Sequence, residues 1–124
     1  MNDIRSGVRF DDGICLVRFG VDVHALTREE DEEVTSYSEG IAVKPYNVPL
    51  RSLIARDVDN LGLAGRCVSG DFYAHASYRV TTNAVAMGEA IGLASARAAS
   101  SSVSLPEVDG IQIRQAMAAA GYEI

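Results

Sequence analysis

Between Thr81 and Ala99 the chain carries only two charged residues, Glu89 and Arg97. Ala84, Met87, Gly88, Ile91, Gly92, Ala94 and Ala98 leave little of that stretch polar on any side. The pattern predicts one long helix over 81–99, with Thr81 or Thr82 capping its first turn. A helix this apolar is buried on most of its sides. Gly88 and Gly92 each cost about 1 kcal/mol of helix propensity against Ala, and close backbone packing is the usual compensation. A chain of 124 residues has few other elements to cover such a helix. The expectation is therefore that it packs against another chain, either a different polypeptide or a second copy of this one. The alternative is that the chain's own sheet and last helix cover it.

The remaining pattern predicts a single domain of mixed α+β class. Residues 8–26, VRFDDGICLVRFGVDVHAL, are rich in Val, Ile and Phe. They read as strands, with Asp11-Asp12-Gly13 turning a hairpin. Residues 27–40 include five consecutive acids, Glu29 to Glu33, and read as a solvated loop or short exposed helix. Residues 41–56 hold Pro45 and Pro49, which restricts them to an edge or irregular strand. Residues 58–68, VDNLGLAGRCV, follow as the expected buried strand, with a turn at Asp59-Asn60. Residues 69–80 read as a polar, aromatic-bearing loop. After Ser100–Ser102 a last helix is expected within 105–124. Asp109 is its N-cap, Ile113, Met117 and Ala120 are its apolar stripe, and Gly121 is its stop. Strand, loop and apolar helix in that order form half of a parallel α/β layer.

Composition closes off several functions. Seventeen acidic residues against eleven basic ones give a net charge of −6, which argues against a phosphate-tracking surface and so against nucleic acid. No apolar run approaches the ~20 residues of a membrane span. The start, MNDIRSG, lacks the apolar core of a signal peptide. Cys15 and Cys67 form neither a CxxC pair nor a metal-ligand spacing, so reduced thiols in a cytoplasmic protein are expected, with no metal.

The chemistry-bearing stretch is Val58 to Ala96. A Gly-containing turn followed by a helix start gathers backbone N–H groups that favour an anion or a polarised oxygen. Gly65 lets a flat ligand approach the backbone, and Arg66 and Arg79 add positive charge. Three segments, Leu63-Ala64-Gly65-Arg66-Cys67-Val68-Ser69, then Arg79-Val80, then Ala86-Met87-Gly88-Glu89-Ala90-Ile91-Gly92, resemble the C-terminal part of bacterial FAD-dependent oxidoreductases of the glutathione-reductase-like superfamily. The resemblance runs from about Tyr46 to Ala99, the tail 105–124 also fits, and Val21–His24 resembles an earlier strand of the same family.

The resemblance implies an α+β fragment of an α/β FAD-binding fold. Ala64, Gly65 and Arg66 would line the ribityl side of FAD. Arg79, Val80, Thr81 and Thr82 would lie near its isoalloxazine ring. Gly88 and Gly92 would pack against the dinucleotide-binding core. The family's G-x-G-x-x-G fingerprint, which holds the pyrophosphate, is absent, and so is any G-x-G. The implied role is a C-terminal piece or small subunit that shares FAD with a chain carrying the Rossmann half. The rivals are a catalytically inactive remnant that assembles as a homo-oligomer, and a small anion-binding module using Arg66 and Arg79.

Among side chains, His75 lies beside the proposed flavin wall and is a candidate substrate contact. His24 follows a strand and is either a second catalytic candidate or a hydrogen-bonded structural residue. Arg79 is either a ligand contact or half of an ion pair with Glu89 or Asp71. Cys67 reads as packing rather than redox. Ser77 has no His and Asp partners at nucleophile spacing.

Overall fold

The structure, a computed structural model, describes residues 2–23 and 41–124. The expected solvated segment 27–40 lies outside the described residues, as does His24.

The element order is α1 (Asn2–Ser6), β1 (Gly13–Val17), β2 (Tyr46–Pro49), α2 (Phe72–Tyr78), α3 (Thr81–Ser101) and α4 (Gly110–Ala119), with single 3-10 turns at Leu50–Leu53, Gly65–Cys67 and Leu105–Glu107. The class is α+β, with one two-stranded antiparallel sheet among the described residues. β1 pairs with β2 in the register Cys15–Val48, Leu16–Asn47 and Val17–Tyr46. Pro49 sits at the end of β2, where its missing N–H costs the ladder nothing. α3 and α4 both pack against β1. The core they enclose includes Ile14, Val17, Leu53, Met87, Ala90, Ala94, Ile113 and Met117, all fully buried.

The hairpin expected at Asp11-Asp12-Gly13 does not form. The turn is present, with the Gly13 N–H donating to the Phe10 carbonyl at 3.1 Å, but its first arm does not pair with its second. Asn47 intervenes. Its Oδ1 accepts from the Phe10 N–H at 2.8 Å, and its Nδ2 donates to the Phe10 carbonyl at 3.1 Å. The side chain thus satisfies both backbone groups that a neighbouring strand would have taken. A Cβ on Gly13 would lie 1.9 Å from Asn47 Nδ2, so only glycine leaves that amide room.

The buried strand expected over 58–68 is also corrected. Val58 and Leu61 are exposed, and the only pairing there is an isolated antiparallel bridge between Ile54 and Gly62. The Leu63 N–H donates to the Leu53 carbonyl at 2.7 Å, and the Ala55 N–H to the Leu61 carbonyl at 2.9 Å. The Asp59-Asn60 turn between these contacts is as expected, with Asn60 at φ +55°. A strand exists only where a second strand offers an edge, and the described residues supply none to 58–68. The parallel α/β half-layer is therefore absent within the described part of the chain.

Residues 69–80, expected as a loop, contain α2. Asp71 caps it, its carboxylate accepting from the Ala74 N–H at 2.9 Å. α3 matches the expected helix and runs two residues further, to a left-handed Ser102. Its N-cap is Val80 rather than Thr81 or Thr82, and no side chain caps it. α4 begins at the expected Asp109 cap and stops before Gly121 at φ +92°. Ile113 and Met117 are buried, but Ala120 is exposed and lies outside the stripe.

α3 is covered on one face only. Asn83, Ala86, Met87, Ala90, Ile91, Ala94 and Ala98 are buried, while Val85 is 58% exposed and Gly88, Gly92, Ala96 and Ala99 face outward. A Cβ on Gly88 or Gly92 would meet nothing within 4 Å, so the close packing expected of these glycines is not made inside the described chain. No helix among the described residues is long and apolar enough to cross a membrane.

Candidate functional site

The turn over Gly65–Cys67 and the junction between α2 and α3 come together at the start of α3. Gly65 adopts φ +59°, and a Cβ there would lie 3.1 Å from that of Ala84 on α3. Glycine thus serves both the left-handed backbone and the contact with the helix. From α2, His75 Nε2 meets the Arg66 carbonyl at 3.2 Å, and the Tyr78 hydroxyl donates to the Val68 carbonyl at 3.0 Å. A carbonyl oxygen only accepts, so this bond places a proton on Nε2, and in the neutral ring Nδ1 is then the acceptor. The His75 ring also stands edge-on to Tyr78, with centroids 5.4 Å apart.

Arg66 is exposed, and its guanidinium makes no hydrogen bond or ion pair among the described residues. Arg79 Nη2 donates to the Asp22 carbonyl at 2.8 Å, which fixes the guanidinium beside the first turn of α3. Of the two carboxylates considered for Arg79, Glu89 accepts from the Tyr122 hydroxyl and Asp71 caps α2. An open pocket of about 370 Å³ results, lined by Asp22, Arg66, His75, Arg79, Val80 and Thr81.

Five of the residues singled out from sequence therefore share one pocket. Ala64, Gly65 and Thr82 do not line it: Ala64 and Gly65 form the turn behind Arg66, and Thr82 is exposed on the next position of α3. Asp22 was missed as a site residue. Its signal was its place in Val21-Asp22-Val23, where two buried valines hold it against the α2–α3 junction.

The N-termini of α2, α3 and α4 differ in a way that bears on chemistry. Asp71 and Asp109 place carboxylates on the first turns of α2 and α4. α3, the longest, has no side-chain cap, and two arginines lie at its start. Its first-turn N–H groups, the positive end of its dipole and the guanidinium of Arg66 all favour negative charge in the same place. Asn83, also in that first turn, is 7% exposed, and its Nδ2 has no partner among the described residues.

The sequence matches the model of a family described as FAD dependent oxidoreductase over residues 1–117. The chain belongs to the FAD dependent oxidoreductase family. Neither the curated proteins nor the solved structures gave a match. Family membership makes FAD the cofactor against which the pocket is to be tested. The uncapped α3 terminus and the Arg66 guanidinium, which has no partner among the described residues, fit an electron-rich, partly anionic ligand. The pocket's size and openness fit only a portion of a dinucleotide, since a site that buries most of a ligand this large needs walls on several sides.

Proposed function

We propose that this chain is the C-terminal piece or small subunit of an FAD-dependent oxidoreductase and supplies one wall of a flavin site. The observation that carries the proposal is the family match combined with a basic, uncapped start of α3 in the segment that resembles the flavin-facing end of that family. The other wall comes from a chain bearing the G-x-G-x-x-G fingerprint that this sequence lacks.

Bound FAD supplies the hydride transfer between substrate and cofactor. This chain's residues bind and orient. The first-turn N–H groups of α3 and the Arg66 guanidinium stabilise negative charge on a polarised ring oxygen, in a geometry set before the ligand arrives. The Asp22 carbonyl holds Arg79 in place. Gly65 keeps the turn tight enough for Arg66 to project at the helix start, while His75 clamps that turn through the Arg66 carbonyl and offers Nδ1 to a substrate. The uncovered face of α3, with Val85, Gly88 and Gly92, packs against the partner, whose backbone approaches closely over the two glycines.

The test is co-expression with a neighbouring-gene product that contains G-x-G-x-x-G. Co-purification of a yellow complex with flavin's visible absorbance is the expected result, and Arg66→Ala weakens flavin retention in it. If no such product co-purifies and added FAD keeps its fluorescence unchanged, the proposal fails. Binding of small anions by this chain alone, lost in Arg66→Ala without any response to FAD, would favour the anion-binding module instead.

A further inference from the structure

β1 has two edges, and β2 occupies one. The Leu16 N–H points to the other and donates to the Glu123 carbonyl at 2.9 Å. Gly121, at φ +92°, turns the chain off α4, so that residues 122–124 run along this second edge. Among the described residues their side-chain fastenings are few. Arg18 pairs with Glu123 with both side chains about 60% exposed, and the Tyr122 hydroxyl donates to Glu89 of α3. Tyr122 and Ile124 are only partly buried against the core. Exposed pairs of this kind contribute little and are screened by salt.

What lies beneath is a strand of high pairing propensity. Residues 13–19, GICLVRF, contain one charge and no proline, the composition that makes an uncovered edge a template for another strand. It is also self-complementary. Antiparallel pairing of two copies about a two-fold axis through Leu16 sets Cys15 opposite Val17 and Arg18 opposite Ile14, so no like charges meet. The outward Leu16 N–H is the group such a pair uses first.

We propose that residues 122–124 are a releasable guard over the outer edge of β1, and that lifting them opens this edge to antiparallel pairing with β1 of a second copy of the chain. The backbone carbonyl of Glu123 occupies the position that the second copy's Leu16 carbonyl would take. The Arg18–Glu123 pair adds only modestly to the guard's hold.

The experiment compares the full chain, a chain ending at Gly121, the shortened chain carrying Arg18→Pro, and the full chain carrying Glu123→Lys. Mass is read by sedimentation over a concentration series, and edge protection by exchange of the Leu16 amide. The shortened chain should double in mass as concentration rises, relative to the full chain, and at low concentration exchange its Leu16 amide about tenfold faster or more. Arg18→Pro, a block on the outer edge, should abolish the added association. Glu123→Lys, which sets a cation beside Arg18, should accelerate Leu16 exchange a few-fold at full length. A folded shortened chain with no gain in mass overturns the proposal, as does association that Arg18→Pro leaves intact. If shortening unfolds the chain, Glu123→Lys decides: an unchanged Leu16 exchange rate there overturns it equally.

Discussion

Replacing Gly65 with Ala tests the turn that carries Arg66, because two separable costs meet at one atom. The backbone at φ +59° disfavours any Cβ by about 1–2 kcal/mol. The added carbon would also sit 3.1 Å from the Ala84 Cβ, on a long helix whose other face is packed on the core and cannot retreat freely; that contact adds about 0.5–1 kcal/mol. Loss of glycine's freedom in the unfolded chain returns about 0.4–1 kcal/mol. The net is a destabilisation of about 1–2 kcal/mol, which lowers the melting temperature of a chain this size by about 4–8 °C. Urea and thermal unfolding followed by circular dichroism measure it. Gly65→Asn separates the causes. Asn tolerates the left-handed region better than Ala but is larger, so it outranks Ala if the backbone dominates and falls below it if space does. The double mutant Gly65→Ala, Ala84→Gly isolates the contact, and its cost should fall short of the sum of the singles by about 0.5–1 kcal/mol. A neutral or stabilising Gly65→Ala would refute the geometry assigned to this turn.

Three further outcomes follow from the structure. Asn47→Ala should cost about 2–4 kcal/mol in chemical denaturation, because it leaves the Phe10 N–H without its acceptor, removes one of the donors to the Phe10 carbonyl, and opens a void in a site that is 1% exposed. In thiol labelling, Cys67 is exposed and should react quickly. Cys15, buried with its pKa pushed up to about 11 mainly by desolvation, should react only on unfolding, and two fast thiols would contradict its placement. The hydrogen bond from Arg18 holds the Glu123 carboxyl below the usual glutamate value, and the Ser104 hydroxyl and N–H do the same for Glu107. A depressed folded-state pKa contributes stability that is present above the unfolded value of about 4.3 and is lost as pH falls through the lower folded value. The Leu16–Glu123 bond should therefore loosen on acidification below about pH 4. Carboxyl chemical shifts across an acid titration check this, and Arg18→Gln should return Glu123 to the ordinary range.

The sequence by itself determined what depends on neighbours a few residues away. The extent of α3 followed from its lack of charge, the start of α4 from Asp109, its end from Gly121, and the turn at Asp59-Asn60 from turn chemistry. Five of the pocket's lining residues were legible for the same reason, since Arg66, His75, Arg79, Val80 and Thr81 lie within a short span, whereas Asp22 reaches them from a distant segment. α2 was missed, although Asp71 carried a local cap signal, because its aromatic and polar composition reads equally well as a loop.

Tertiary structure decided everything that needed a partner distant in sequence. β1 pairs with β2 rather than with residues 8–10, because the Asn47 side chain satisfies Phe10 and leaves it nothing to offer a strand. Residues 58–68 stay irregular because no edge reaches them. Which face of α3 is covered, which of Arg66 and Arg79 finds a partner among the described residues, and what lies along the outer edge of β1 are likewise set by contacts between remote segments. A cap or a turn closes its hydrogen bonds within a few residues and so can be read from them, whereas a strand edge or a helix face is satisfied only by whatever the rest of the fold brings to it.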